Sequence, residues 1–389
     1  MLLLSAGMAA PSAAFPQYLG GLGASVAVVG VILSLRGFGN LISDLPGGIL
    51  LGRVGLRPVT VISIIVATIA SFLIWLVRDV TTIGVLTLIS GASLSLVVTG
   101  MMTHVRAHVP PGERGRALSL VGGSLRVGAL VGPLFGGILA DSFGTQTTFL
   151  LKAICSLGAL FAFASSRDRA EGTVGPLAAA DARAPKRLAG QLRTVADGMR
   201  GRWKAFATVG FYILALMIVR ASRNFVLPQW GDALGLNATV IGIVLSAGAA
   251  MDLLLFIPAG IIMDRAGRKL AGGLCIGILS AGLLLLPLSR GIAGFVIASM
   301  LIGVGNGFGA GINMTLGTDI APNTAVSEFL GIWRFVGDIG QTAGPAIVGG
   351  ISAAAGLGPG ILAIAACGFL GLGVLALLAP ETLHIARRG

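Results

Sequence analysis

Only 11% of the 389 residues are Asp, Glu, Lys or Arg, and several of those charges stand where charge is costly. Arg36, Arg126, Asp252 and Asp338 each fall near the middle of an apolar stretch of about 20 residues, the length that spans a hydrocarbon core. A charged side chain at that depth costs at least about 2.5–3.5 kcal/mol, so each is a candidate functional residue. Asp44 lies eight positions after Arg36 with Asn40 between them. The i, i+4, i+8 spacing puts all three on roughly one face of a helix, as i, i+4 does for Arg334 and Asp338. A carboxylate beside a cation can take up and release a proton, whereas arginine keeps its charge. Arg220, Arg223 and Asn224 gather in another stretch, and Asn306 and Asn313, seven apart, share a face of a third. With Lys152 included, five cations (Arg36, Arg126, Lys152, Arg220, Arg223) oppose three acids (Asp44, Asp252, Asp338) inside apolar segments. That balance favours an anionic or zwitterionic ligand through Coulomb attraction in low dielectric. The alternative for Arg220 and Arg223 is that they snorkel to an interface or bind backbone carbonyls.

The elements that must position these groups are membrane spans. At 55% hydrophobic residues and mean hydropathy +0.95, the chain is not a soluble domain, where about 25% of residues would be charged. Twelve apolar stretches lie between residues 2 and 379, so the fold class expected is an all-α membrane protein of twelve transmembrane helices. The net charge of +12 is a matter of location and not of nucleic-acid binding. Nineteen of the 27 Lys and Arg residues fall in loops or tails on one side of that topology, and only Arg78 and Arg290 in loops on the other. The positive-inside rule then puts both termini in the cytoplasm of a multi-pass protein of the plasma membrane. Residues 1–20 lack the charged start of a signal peptide and are read as the first span. The repeat described next places the counterpart of its start before residue 1, so the N-terminus is expected to be trimmed.

Sliding the chain against itself by 212 residues aligns "PQYLGGLGASVAVVGVILS" at 16 with "PQWGDALGLNATVIGIVLS" at 228. The same register pairs Pro46 with Pro258, Gly55 with Gly267, Gly91 with Gly303, Gly128 with Gly340, Pro133 with Pro345 and Cys155 with Cys367. The expected organisation is two pseudo-symmetric six-helix bundles, 1–165 and 206–379, with a cytoplasmic linker 166–205 and a tail 380–389. Parallel repeats of this kind suit a carrier whose halves rock about a midplane site. In the linker Leu188, Leu192, Val195 and Met199 recur at helical spacing beside arginines, which reads as a short interfacial helix or as a disordered basic tether.

"AGIIMDRAGRKLA" at 259–271 completes the picture. Gly260, Asp264, Arg265, Gly267, Arg268 and Lys269 match in full the glycine, three residues, Asp-Arg-x-Gly-Arg-Lys signature of the major facilitator superfamily, which the chain resembles over essentially its whole length. The first-half copy keeps Gly48, Arg53, Gly55 and Arg57 but has Gly52 and Leu56 where the signature differs. In span 5, Gly128, Gly132, Pro133, Gly136 and Gly137 are similar to a motif of proton-driven exporters, with a looser copy at Gly340, Gly344 and Pro345. Glycine permits close helix approach and proline removes a hydrogen bond, so the motif is a candidate for helix bending or for packing. The resemblance is to drug:proton antiporters of twelve spans, with two departures. Thr87 stands where those exporters carry an arginine, and span 1 has no acid.

The resemblance implies a secondary transporter using alternating access, proton-coupled and exporting a small molecule. An uptake carrier for an organic anion is the alternative, and a lipid-handling or sensing protein with the same fold a third. It further implies that Arg36 faces Asp338 and Arg126 faces Asp252 across the halves, either as ion pairs that hold them together or as proton-coupling sites. Asp44 is then a partner of Arg36 or a second titratable site. The cavity is expected to be lined by Arg220, Arg223, Asn224, Asn306, Asn313 and Tyr18. A cytoplasmic gate is expected from Arg53, Arg57, Arg114, Arg116, Asp264, Arg265, Arg268, Lys269 and Glu328, with Asp264 accepting from the start of span 5 and Glu328 supplying the acid that Gly52 lacks. The expected partners are the bilayer, protons and an anionic or amphipathic small molecule, the chain acting as a monomer. His104 and His108 could bracket a metal, but with no Cys or carboxylate beside them they read as solvated loop residues, so no metal is expected. Neither a phosphate-binding loop nor a nucleophile with its base is present, which argues against a cofactor and against an enzyme.

Overall fold

The computed structural model describes residues 1–110, 113–165, 203–322 and 326–383. Regular structure among the described residues is helical. The helices are α1 (Leu2–Ala9), α2 (Phe15–Gly21), α3 (Val26–Val54), α4 (Leu56–Leu76), α5 (Val80–His108), α6 (Arg114–Phe143) and α7 (Thr147–Ser165). The chain then continues through α8 (Trp203–Ala233), α9 (Ala238–Arg265), α10 (Arg268–Leu285), α11 (Ile292–Phe308), α12 (Ile312–Ile320), α13 (Val326–Ala355) and α14 (Leu357–Leu377). Among the described residues, ten segments are long and apolar enough to cross a membrane. The other two expected spans have sequence reasons for falling outside that group. Span 1 is divided into α1, a 3-10 turn opened by Pro11, and α2 opened by Pro16, since proline lacks the N–H that would continue the helix. Span 11 is the unbroken α13, whose first half carries Glu328, Arg334 and Asp338.

The described residues fall into two compact units, 1–165 with Gly235–Ser246, and 203–234 with 247–383. Helix α9 therefore begins in the first and ends in the second. Each unit repeats the other's packing. Helix α1 packs on α6 as α8 does on α13; α4 on α7 as α10 on α14; α4 on α5 as α10 on α11. Even the backbone follows the 212-residue offset: glycines with left-handed φ occur in pairs at Gly55 and Gly267 (φ 101° and 109°), where the chain turns between two spans in a conformation that a Cβ would strain. The same holds for Gly23 with Gly235 and for Gly144 with Gly356.

The glycines of span 5 work by proximity. Gly128, Gly132 and Gly136, one turn apart, lie against Ser5, Ala6 and Ala10 respectively, with no room for a side chain. Gly340 and Gly344 do the same in the second unit, where a Cβ would come 2.6 Å from the carbonyl oxygens of Leu214 and Ile218. Gly137 meets Ala238 and Gly242 meets Pro133, so the first turns of α9 lie closely on α6. There Asp141 accepts hydrogen bonds from the backbone N–H groups of Ala238 (3.0 Å) and Thr239 (2.8 Å), capping α9 from a residue 97 positions away. Helix α6 itself runs without interruption through Pro133.

One feature breaks the symmetry. Span 4 is the continuous α5, whereas span 10 stops at Phe308 and restarts at Ile312. Gly311 there has φ 78°, and its counterpart 212 positions back is Thr99, as Val97 is that of Gly309. Helix α8 starts at Trp203, three residues before the expected boundary. The expected interfacial helix of the linker lies outside the described residues.

Candidate functional site

The break in span 10 is where the second unit gathers its polar side chains. Arg220 reaches from the middle of α8 to the end of α11, donating from Nη2 to the backbone carbonyl of Asn306 at 3.1 Å and lying 3.6 Å from the Cys275 sulfur of α10. Its guanidinium occupies the space a side chain at residue 309 would need; Gly309 leaves it free. The side-chain amide of Asn306 donates to Asp252 Oδ2 on α9 at 2.7 Å. Arg223 lies one turn along α8 from Arg220. Arg220, Asn306, Asp252 and Cys275 thus form one cluster drawn from four helices. It retains unused capacity, since Arg220 Nε and Asn313 Oδ1 are buried with no hydrogen-bond partner. Asn313 sits in the first turn of α12, where its backbone carbonyl accepts from the indole N–H of the fully buried Trp333 at 2.8 Å.

Other cavity expectations divide. Arg223 is half-buried and Asn224 exposed on α8, while on α13 Arg334 is exposed and Asp338 half-buried. The ring of Tyr18 is 3% exposed and packs against Phe149, and its hydroxyl donates to the Val77 carbonyl at 2.8 Å where α4 ends. With its one proton used and its ring enclosed, Tyr18 braces α2 against α4. Phe15, Tyr212 and Phe225 are likewise buried, whereas Phe211 is exposed.

The first unit has its own polar interior. Lys152 of α7, 7% exposed, donates to Ser90 Oγ of α5 at 2.7 Å. Arg36 is exposed on α3. Its carbonyl lies against Gly91 just as that of Gly248 lies against Gly303 in the second unit. Asp44 accepts from the Ser95 hydroxyl, and Arg126 is half-buried on α6.

The loop after α9 is built from acids that sequence reasoning missed. Arg268 donates from Nε to Asp319 Oδ2 at 3.0 Å, in a pair whose side chains are 12% and 8% exposed. Thr382 donates to the same carboxylate oxygen at 2.9 Å. Glu381 accepts from the backbone N–H groups of Arg268 (2.9 Å) and Lys269 (3.1 Å), capping α10. Within this unit Asp264 is bound to Arg268, one turn on, at 3.2 Å, and 71% exposed. Having emerged at the last turn of α9, it contributes less to the loop than Asp319 does. Arg53 and Arg265 are exposed. Helix α3 continues through Gly52, and the side chains of Arg114, Arg116 and Glu328 lie outside the described residues. His104 packs near Phe163; the His108 side chain also lies outside the described residues. No signal in the spacing singles out Asp319, but the "PET" at 380–382, next to the last apolar stretch, was a visible cluster of polar residues.

The family model described as "Major Facilitator Superfamily" matches this chain twice, over residues 1–220 and 209–388. "Probable anion transporter 7" of Oryza sativa subsp. japonica is 32% identical over 134 residues, covering 34% of this chain and 30% of that protein. "Probable small intestine urate exporter" of Mus musculus is 24% identical over 126 residues, 32% of this chain and 26% of that one. These matches span about a third or less of the relatives' length. Among solved structures, a POT family transporter crystallised with a thioalcohol-conjugated peptide superposes with a TM-score of 0.80 over 97% of this chain and 93% of that one, at 13% identity, which is a likeness of fold.

Proposed function

This chain belongs to the Major Facilitator Superfamily, and on that premise we propose that it is a proton-coupled secondary transporter that carries a small organic anion by alternating access. The observation that supports the anion is Arg220. A guanidinium held inside a membrane-spanning unit is costly, and its planar set of donors suits a carboxylate. Its Nε is left over, and Asp252 sits beyond Asn306 to balance the charge when no anion is present. Anion transporters among the partial relatives support the same reading.

In this proposal the two bundles, residues 1–165 and 206–379, alternate about the membrane midplane, with both termini in the cytoplasm of the plasma membrane. Arg36 with Asp338 and Arg126 with Asp252 serve as pairings that form and break between states. The loops at Arg53, Arg57, Arg265 and Arg268 form the cytoplasmic gate with Arg114, Arg116 and Glu328. Proton symport matches the charge of an imported anion. Export is the second reading, supported by the glycine and proline run of span 5 and by the urate exporter among the relatives.

Purified protein in vesicles, given radiolabelled urate or succinate outside and the same anion unlabelled inside, tests the central claim. Exchange of label is expected, together with accumulation driven by a pH gradient and its loss in Arg220→Gln. Vesicles that exchange neither anion but move an organic cation would overturn the reading. The sign of the pH gradient that drives accumulation separates uptake from export.

A further inference from the structure

Asp252 and Asp338 attract attention as proton carriers because they are acids, yet the first unit holds a buried ionisable group with less around it. The Lys152 amine has three N–H donors when charged, and its hydrogen bond is to one neutral oxygen, Ser90 Oγ, at 2.7 Å. Beside it is a cavity with space for about one water. Leu4 and Met8 of α1, Ala67 of α4, Leu94 and Val97 of α5 and Ser156 of α7 complete the lining, with no carboxylate among them.

Several charged groups lie on the surrounding helices. Arg36 of α3 acts on Lys152 with like charge. Helix α6, which also packs on α7, contributes Arg126 to the unit. Asp44 of α3 is joined to Ser95, Asp141 caps α9, and α4 is uncharged between Pro58 and Leu76. Cys155, the other ionisable side chain of α7, packs against Gly7. A buried ammonium with one neutral acceptor calls either for an anion, for which this cavity is too small, or for the loss of its charge. Arginine keeps its proton in proteins, whereas a lysine amine can give one up.

We propose that Lys152 is the group that takes up and releases the coupled proton, with the water-sized cavity beside Ser90 as the place the proton enters and leaves. The ammonium gives a proton to water and becomes the neutral amine, which then accepts from Ser90; reprotonation restores the charge when the cavity is hydrated. This deepens the proton-coupled reading by naming its carrier, and leaves Asp252 to hold the anion site through Asn306.

The test uses full-length protein in vesicles with radiolabelled urate and succinate, measuring anion exchange and pH-driven accumulation separately. For Lys152→Met and Lys152→Arg, exchange within about twofold of wild type is expected, with driven accumulation reduced at least tenfold. The arginine variant is decisive because it keeps charge and loses only the ability to release the proton. Ser90→Ala, which keeps the lysine, is expected to move the midpoint of the pH profile of driven transport to lower pH, and serves if the Lys152 variants do not fold. Driven accumulation that survives in Lys152→Arg, or an unmoved profile in Ser90→Ala, overturns the inference while the anion reading stands. Wild-type exchange without any response to a pH gradient overturns the inference and the proton coupling together. Absence of exchange as well overturns the anion reading itself.

Discussion

Arg57 and Lys269, 212 positions apart, reach from the first turn of the third span of their own half to a backbone carbonyl at the end of its sixth. Arg57 donates to Ala164 at 3.2 Å and Lys269 to Ala379 at 3.1 Å. Helix ends leave carbonyls unsatisfied and carry partial negative charge, so a cation there is favourable. The duplication kept the contact while exchanging the residue that makes it.

Thermal unfolding in detergent should register this contact in both halves. Arg57→Ala and Lys269→Ala are each expected to cost about 0.3–1 kcal/mol, the range for a cation at a helix C-terminus. Glu381→Ala is expected to cost more, about 1–2 kcal/mol, because it leaves two N–H groups of α10 without their cap. An effect of Glu381→Ala below that of Lys269→Ala would refute the capping role.

The pair Arg268 and Asp319 is enclosed, unlike Asp264, and removal of one member strands a charge. Asp319→Ala alone is expected to destabilise the protein by about 3–5 kcal/mol, and Asp264→Ala by less than about 1 kcal/mol. The combined Arg268→Ala/Asp319→Ala variant is expected to recover part of the loss. Strict additivity in this double-mutant cycle would show that the two side chains are not coupled.

At the broken span, Gly309→Ala places a methyl where the Arg220 guanidinium and the Cys275 sulfur already sit. Anion exchange is expected to fall at least tenfold with expression preserved, and Arg220→Lys is expected to raise KM because a point charge replaces a planar fork. Wild-type kinetics in Gly309→Ala would separate the break from transport.

Asp252→Asn distinguishes an acid that positions from one that carries protons. Loss of the negative charge that accepts from Asn306 is expected to raise KM several-fold and to leave the ratio of accumulation to pH gradient unchanged. Intact KM with accumulation abolished would assign the coupled proton to Asp252 instead of Lys152.

Much of this was legible in the sequence because it is local or periodic. Apolar length marks spans, the constant offset marks the repeat, and Gly128, Gly132 and Gly136 mark a helix face one turn apart. The rest depends on contacts that no local pattern encodes. Asp319 meets Arg268 across 51 residues and Glu381 meets it across 113. Arg220 meets Asn306 across 86. The break at Gly309 was hidden for another reason: in a chain with 61 glycines, most of which sit inside continuous helices, "GAG" does not announce a stop. The Tyr18 contact with Val77 was not legible, because an aromatic ring with a hydroxyl suits a ligand and a backbone carbonyl equally well.

Gly311 has a wider consequence. The other left-handed turns at 55 and 267, 23 and 235, and 144 and 356 come in matched couples, as expected of an inheritance shared by both copies. Gly311 has no such twin. A protein assembled from two copies of the first half would have an unbroken rod in its tenth span, with valine where the guanidinium now rests. The chemistry that distinguishes one cargo from another would then postdate the duplication, and the place to look for divergent tastes among related carriers is the tenth span, not the fourth.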